Sequence, residues 1–502
     1  MFRDISKGDL PLFSLNFGVI TLVPKVQEAN VIQQYRPICL LNVSYKIFTK
    51  VTTNRLSSVA NKVVSPTQTA FIKGRNILEG VVILHEAIQE LDRKNKADVQ
   101  QGEVALLISN APDQRHYFQT KKGLWHGDPL SPLLFNIMVD MSKVFISRAK
   151  TDGQLEGVIP HLVEGGSRFS NDTILFVDHD PDKDRNMKLL LFAFEQASGL
   201  KINSHKSELF CFRENIELYT ELFGWKAGNF PTNYFGIPIH YRKLRNCDWG
   251  KAEERFEKRL SSWKGKHLSI GGRLTLINSV LSSLPMYMMS FFSIPKGVLK
   301  KLDYFRSRFF WQGDKNKKKY GLARWTILCQ PKDQGGLGIL DLNTKNTALL
   351  SKWLYKLLTS DGLWQQMHRN KYVGSKPLAQ VERKSGDSLL VMPNEGKARF
   401  STLWNLRYKG RITNQDAFHW NLAPNDRFSV KSHYAALMFR NIPKVNRDLW
   451  KLKVPLNIKF FLWYLQYGVI LTKDNLAKLS WQGSLTYTSC HKEETINHLF
   501  LV

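Results

Sequence analysis

Apolar positions along the chain fall into two patterns, short continuous runs and series spaced by three or four, which alternate without a fixed period. Phe17-Gly-Val-Ile-Thr-Leu-Val-Pro24 is a β-branched run closed by proline and reads as a strand. Ile77, Val81, Leu84, Ile88 and Leu91 recur at helical spacing, with Asn76 placed to cap the helix. Val104-Ala-Leu-Leu-Ile108 predicts a short buried strand. Leu134, Ile137, Met138, Met141 and Phe145 line one face of a further helix. Ser131 is its expected cap and Pro132 belongs to its first turn, where a missing N–H is harmless. Arg168–Val177 reads as a hairpin with Asn171-Asp172 at its tip, because both side chains favour turns. A helix from Lys183 to Ala197 and a strand from Glu208 to Phe212 follow. Strands and helices mixed in this way predict an α+β layer.

From Asp248 onward the pattern is mainly helical. Trp249–Lys266 is charged and amphipathic, and Leu274, Ile277, Leu281 and Leu284 form an apolar face ended by Pro285. Arg306–Lys319 interleaves aromatics with cations. That composition suits stacking on single-stranded nucleic acid, but it equally describes core rings beside solvated lysines. Gly335-Gly-Leu-Gly338 lacks the context of a phosphate loop and reads as a turn. The segment 377–398 shows no periodicity and reads as a linker.

Composition sharpens the picture at one point. The 502 residues are 43% hydrophobic, enough for several folded domains, yet Lys plus Arg is 72 against 43 Asp plus Glu, a net charge of +29. Such an excess points to a polyanionic partner, since neutralised phosphates release condensed counterions. Cys39, Cys211, Cys247, Cys329 and Cys490 are scattered and odd in number, which fits a reducing compartment. No signal-peptide pattern and no membrane-length apolar run is visible, so the expected location is intracellular, in nucleus or cytoplasm, and the partner RNA or DNA.

Several blocks, in order, resemble the reverse transcriptase of a plant non-LTR (LINE-type) retrotransposon. Ile20-Thr-Leu-Val-Pro-Lys25 and Tyr35-Arg-Pro-Ile38 resemble the fingers, and Gln68-Thr-Ala-Phe-Ile-Lys-Gly-Arg-Asn-Ile77 the segment ahead of the palm. Lys122-Gly-Leu-Trp-His-Gly-Asp-Pro-Leu-Ser-Pro132 resembles a palm motif in which Arg-Gln normally precedes Gly-Asp-Pro. Phe169-Ser-Asn-Asp172 stands where the family carries Tyr-Ala-Asp-Asp. Gly199-Leu-Lys-Ile-Asn203 with Lys206-Ser-Glu208 resembles the next motif, and Tyr234-Phe-Gly-Ile-Pro238 the primer grip.

The resemblance implies a right-hand polymerase. Residues 1–103 would form the fingers, 104–245 the palm, 246–345 a basic helical thumb-like region, 346–440 a connection, and 441–502 a truncated zinc-binding-like segment. It implies Asp172 as a ligand of Mg²⁺ or Mn²⁺, Lys206 as general acid, and Lys25 and Arg36 on the triphosphate of a deoxynucleotide. Gly127, Ser131 and Gly236 would lie against nucleotide, template or primer. RNA template, DNA primer or RNA–DNA hybrid are the implied partners.

The chain also departs from that pattern. Asn171 replaces the first acid of the hairpin pair. After Ile108 the family's acidic run is missing, and Ser109-Asn-Ala-Pro-Asp113 runs into His116, as though a palm segment were deleted near 109–116. Two dications are poorly balanced by one carboxylate and a neutral amide, so impaired catalysis is expected. Near the end, Cys490 and His498 supply two of the four ligands of a closed zinc site, Tyr487 standing where a cysteine would be; stable zinc is therefore not expected. The alternatives are a non-catalytic RNA- or DNA-binding remnant and a poorly folded pseudogene product.

Overall fold

The computed structural model describes residues 18–25, 28–66, 68–97, 103–111, 127–155, 167–169, 172–178, 180–211, 216–263, 267–312, 321–370, 427–439 and 447–500. Asn171, Asp113, Trp125, His126 and the expected linker 377–398 lie outside them. The described residues divide into two compact units, one from Met1–Arg242 and Asp361–Glu382, the other from Lys243–Ser360 and Arg383–Val502.

The first unit opens with β1 (Gly18–Pro24) and β2 (Tyr35–Leu41), an antiparallel pair in register from Gly18↔Leu41 to Pro24↔Tyr35. Two 21-residue helices follow, α1 (Val43–Val63) and α2 (Ile77–Ala97). The Asn42 side chain accepts from Ser44 N and caps α1, and Asn76 Oδ1 accepts from Leu78 N at 3.0 Å to do the same for α2. The main sheet holds β3 (Glu103–Ala111), β4 (Ser167–Phe169), β5 (Asp172–Asp178), β6 (Lys201–Ile202), β7 (Glu208–Cys211) and β8 (Lys226–Ala227). Its order is β4-β5-β3-β7-β8, antiparallel except for β7 with β8, and β6 pairs with the end of β3. α3 (Ser131–Thr151), α4 (Pro181–Ser198) and α5 (Ile216–Phe223) pack around it. Ile146, Ala149, Leu155, Leu175, Met187, Leu209, Tyr219, Phe223 and Trp225 form the buried cluster between them.

Two local expectations need correction. Leu130 is the N-cap of α3, its carbonyl accepting from Leu133 N and Leu134 N, both at 3.1 Å, so Ser131 is the first helical residue. α2 is not one-sided: from Gly80 to Gln89 every residue is buried, including His85, Glu86 and Gln89. The reason is tertiary. The short helix Leu363–His368 returns to this unit and covers the polar flank, placing His368 Nε2 3.9 Å from Glu86 Oε1. α4 matches its pattern because local chemistry fixes both ends. The Asp180 side chain accepts from Asp182 N at 3.0 Å, and Gly199 leaves the helix at φ +68°.

The second unit is helical. α6 (Gly250–Ser262) and α7 (Ile270–Ser279) pack against α8 (Lys296–Gln312), α9 (Leu342–Thr359) packs against α10 (Val430–Met438), and α11 (Leu456–Gln466) lies on α7. Trp249, Phe256, Phe291, Phe310, Trp353 and Trp463 are almost fully buried. The 335–338 glycines do form a turn, whose Gly335 carbonyl accepts from Trp463 Nε1 at 2.8 Å and Tyr467 Oη at 2.7 Å. The cationic end of α8 decides between its two readings for the residues described. Arg306, Phe309 and Phe310 are core, while 313–319 lie outside the description.

Candidate functional site

The ladder between β3 and β5 assembles the centre of the site. Its register runs from Glu103↔Asp178 to Ser109↔Asp172, and Phe169↔Asp172 closes the hairpin of β4 with β5. Asp172 therefore begins its strand directly across from Ser109. Positions 104 to 111 of the facing strand contain no acid, and its end near Asp172 carries Ser109, Asn110 and Ala111. The hairpin tip, including Asn171, is outside the described residues.

Lys206 comes to the same end of β3. β6 pairs Ile202 with Asn110 and Lys201 with Ala111, and the turn that follows carries Lys206, whose amide donates to Asn203 O at 3.0 Å. The Lys206 side chain is exposed. Lys25 and Arg36 share the β1–β2 hairpin, since Lys25 N donates to Gln34 O at 2.7 Å and Arg36 pairs with Val23. Both are exposed.

Gly127, just ahead of α3, lies against β2 of that hairpin. Its φ is +112°, and a Cβ there would lie 3.0 Å from the Cys39 carbonyl oxygen of β2. The space left by the missing side chain is thus occupied by backbone of this chain. Ser131 Oγ donates to Asp128 Oδ2 at 3.1 Å. Asp128 is buried, and its charge, after burial itself, pushes the Tyr45 hydroxyl pKa up. Sequence reasoning passed over Asp128 because Gly-Asp-Pro is ordinary turn composition; only its burial marks it out. Gly236 lies at φ +76° after Phe235 at φ +49°, the two-residue turn between the strands Thr232–Tyr234 and Ile237–Ile239.

Cys490 and His498 belong to the second unit, and the structure brings them together. Sγ and Nε2 are 3.0 Å apart, held by a tight turn in which Tyr487 N donates to Lys492 O at 2.7 Å and His491 N to Tyr487 O at 3.1 Å. The Tyr487 ring lies 5.7 Å from that of His498, edge to face with it. Among the described residues no group of three or more His, Cys, Asp or Glu is placed to hold a metal.

Comparison with known proteins sets these features in context. A family described as zinc-binding in reverse transcriptase matches residues 428–502, the segment that contains the Cys490–His498 pair. A protein of Arabidopsis thaliana named as a candidate ribonuclease H is 27% identical over 47% of this chain and 51% of its own length. An uncharacterized protein of transposon TX1 from Xenopus laevis is 24% identical over 70% of this chain and 29% of its own. The retrovirus-related Pol polyprotein of the type-2 retrotransposable element R2DM from Drosophila melanogaster is 21% identical over 77% of this chain and 39% of its own. These stretches are thus similar to retrotransposon proteins and to the zinc-binding segment of reverse transcriptases, and plants are among the sources of the relatives. The chain spans about half, or less, of the length of these relatives. Among the described residues, no helix is long and apolar enough to cross a membrane.

Proposed function

We propose that the chain is the RNA-directed DNA polymerase part of a LINE-type, non-LTR retrotransposon protein, a right-hand polymerase by descent with disarmed catalysis. The observation that carries the reading is the β3–β5 register. Polymerase chemistry needs carboxylates from two neighbouring strands to hold two divalent ions about 4 Å apart. The ladder supports that geometry by setting Asp172 beside the end of β3, and the sequence supports the loss by placing Ser109 across from it. Lys206, at the same end, would be the residue to protonate a leaving pyrophosphate. Lys25 and Arg36, on one exposed hairpin, would grip a triphosphate, the guanidinium in bidentate fashion. One carboxylate and one amide do not balance two dications, so we assign no metal-dependent step to this chain. A second reading, a binding remnant that holds RNA or RNA–DNA hybrid, is favoured by the net charge of +29 and is compatible with the first.

Primer extension on an RNA template with Mg²⁺ or Mn²⁺ tests the assignment. The chain as it stands is expected to extend little or nothing, and a version with Asn171→Asp and an acidic run restored after Ile108 is expected to extend. Extension by the unaltered chain that persists in Asp172→Ala would refute the assignment of this site.

A further inference from the structure

We infer that the loop between α1 and α2 presents Phe71 as a stacking platform for an unpaired base of a single-stranded nucleic acid, with Lys73 beside it for the adjoining phosphate. The inference rests on the nucleic-acid reading above and adds to it a residue and a mode of contact.

Phe71 is anomalous on two independent counts. The residue is 64% exposed, and its backbone lies at φ +58°, a region that bulky L-residues avoid. Nothing about the loop is loose enough to explain this. Ala70 and Ile72 on either side are buried at 4% and 5% exposure. The Ala70 carbonyl accepts from Asn136 Nδ2 of α3 at 2.8 Å, and Asn136 Oδ1 in turn accepts from Gln68 Nε2 at 2.9 Å. On the other side Arg75 N donates to Ile72 O at 3.1 Å. The Arg75 guanidinium then clamps the end of α1, donating to Gln68 O at 2.8 Å, Val64 O at 2.9 Å, Asn61 O at 3.3 Å and also to Ser65 O. Asn61 Nδ2 reaches back to Lys73 O at 3.2 Å. The flanking backbone is therefore fixed, and the ring between is held in solvent by the fold.

Charge identifies the occupant. From Ala29 to Leu78 the sequence contains no acid and seven Lys or Arg. Arg75 is committed to carbonyls, but Lys62 and Lys73, brought to one end of α1 by the contacts just described, are both exposed. The Asp140 carboxylate of α3 accepts from Ser65 N at 3.2 Å on the Arg75 side of the loop, and the exposed Lys62 and Lys73 beside the aromatic face suit a base with its phosphate. A purely apolar protein partner would gain nothing from those cations, and a duplex would keep its bases stacked away from the ring.

The test uses the full chain and a short fluorescein-labelled single-stranded RNA, with DNA of the same sequence and a duplex as separate arms, read by fluorescence anisotropy. Phe71→Ala is expected to weaken single-strand binding roughly 5- to 100-fold, the range for loss of one stacked base. The salt dependence should stay unchanged, whereas Lys73→Ala should lower the slope of log affinity against log salt by about one. Phe71→Tyr should retain affinity. Phe71→Gly separates folding from binding: it relieves the left-handed backbone, so its thermal midpoint should rise while affinity falls. Phe439→Ala, at an aromatic 67% exposed in the second unit, should bind as the parent does. Unchanged affinity in folded Phe71→Ala and Phe71→Gly, with the parent still binding, overturns the platform and leaves the proposed function standing. Absence of binding by the parent at low salt overturns both.

Discussion

The cation at the heart of the second unit and the cations of the candidate site are built on opposite principles. Arg306 has no exposed surface, and its guanidinium donates to Ser282 Oγ at 3.1 Å, Leu340 O at 2.7 Å and the Asp303 carboxylate, with the Trp325 ring centroid 5.3 Å away. Lys25, Arg36 and Lys206 are exposed side chains on hairpins and turns. The difference teaches which charges a fold holds in place. A buried charge is held by partners that become unsatisfied without it, so the fold itself selects for it. An exposed charge keeps its hydration when a neighbour changes, so the fold constrains it less. The same holds for β3 and β5, whose ladder is made of backbone and is indifferent to which side chain stands at Ser109.

The comparison breaks most visibly at Arg306. Arg306→Ala should destabilise the second unit by about 3–5 kcal/mol, because it orphans a buried carbonyl, a hydroxyl and a carboxylate together. Urea unfolding followed by tryptophan fluorescence would show it, and a loss below about 1 kcal/mol would contradict the hub. Next in size is a pH effect at His433, which is 1% exposed and whose pKa burial lowers from 6.5 to about 4. Its folded-state value lies below its unfolded one, so the unfolded chain takes the proton first. Stability should be full above pH 6.5 and fall as pH drops toward 4, by roughly 3 kcal/mol at most. His433→Phe should flatten that part of the profile.

A smaller effect transfers the principle to the first unit. Asn136→Ala removes a buried amide that serves both Gln68 and Ala70 and should cost about 1–3 kcal/mol in thermal or urea unfolding. The smallest effect sharpens the contrast from the other side. Lys206→Ala and Cys490→Ser should each leave stability within about 0.5 kcal/mol. A larger loss at Cys490, abolished by chelator, would show that the Cys490–His498 pair draws on a metal after all.

Much of the local architecture was legible. The run at 18–24 and the spaced series after Asn76 formed as their patterns predict, and the helix expected from Lys183 to Ala197 formed as Pro181–Ser198. The hairpin was legible because turn chemistry acts over a few residues, but Asp172, expected at its tip, is instead the first residue of β5, paired with Phe169. Less legible was the cap of α3, where Ser131 has the right chemistry one position too late. The basic stretch from Arg306 offered two readings in sequence, since composition does not say which side of a helix faces the core. Phe71 gave no signal at all. A phenylalanine between alanine and isoleucine looks like one more core residue until its backbone angle and exposure are known.

By itself, the sequence determined which segments could be helix or strand, where several helices begin and stop, and that a large positive charge must be neutralised by something outside the chain. The tertiary structure alone decided that His85, Glu86 and Gln89 are buried, that Ser109 faces Asp172, and that Trp463 bonds a carbonyl 128 residues away. Periodicity and caps are set by near neighbours through steric and hydrogen-bonding rules that a short window contains. Burial and register depend on which distant segment arrives to cover a surface, and that is settled only when the whole chain has packed.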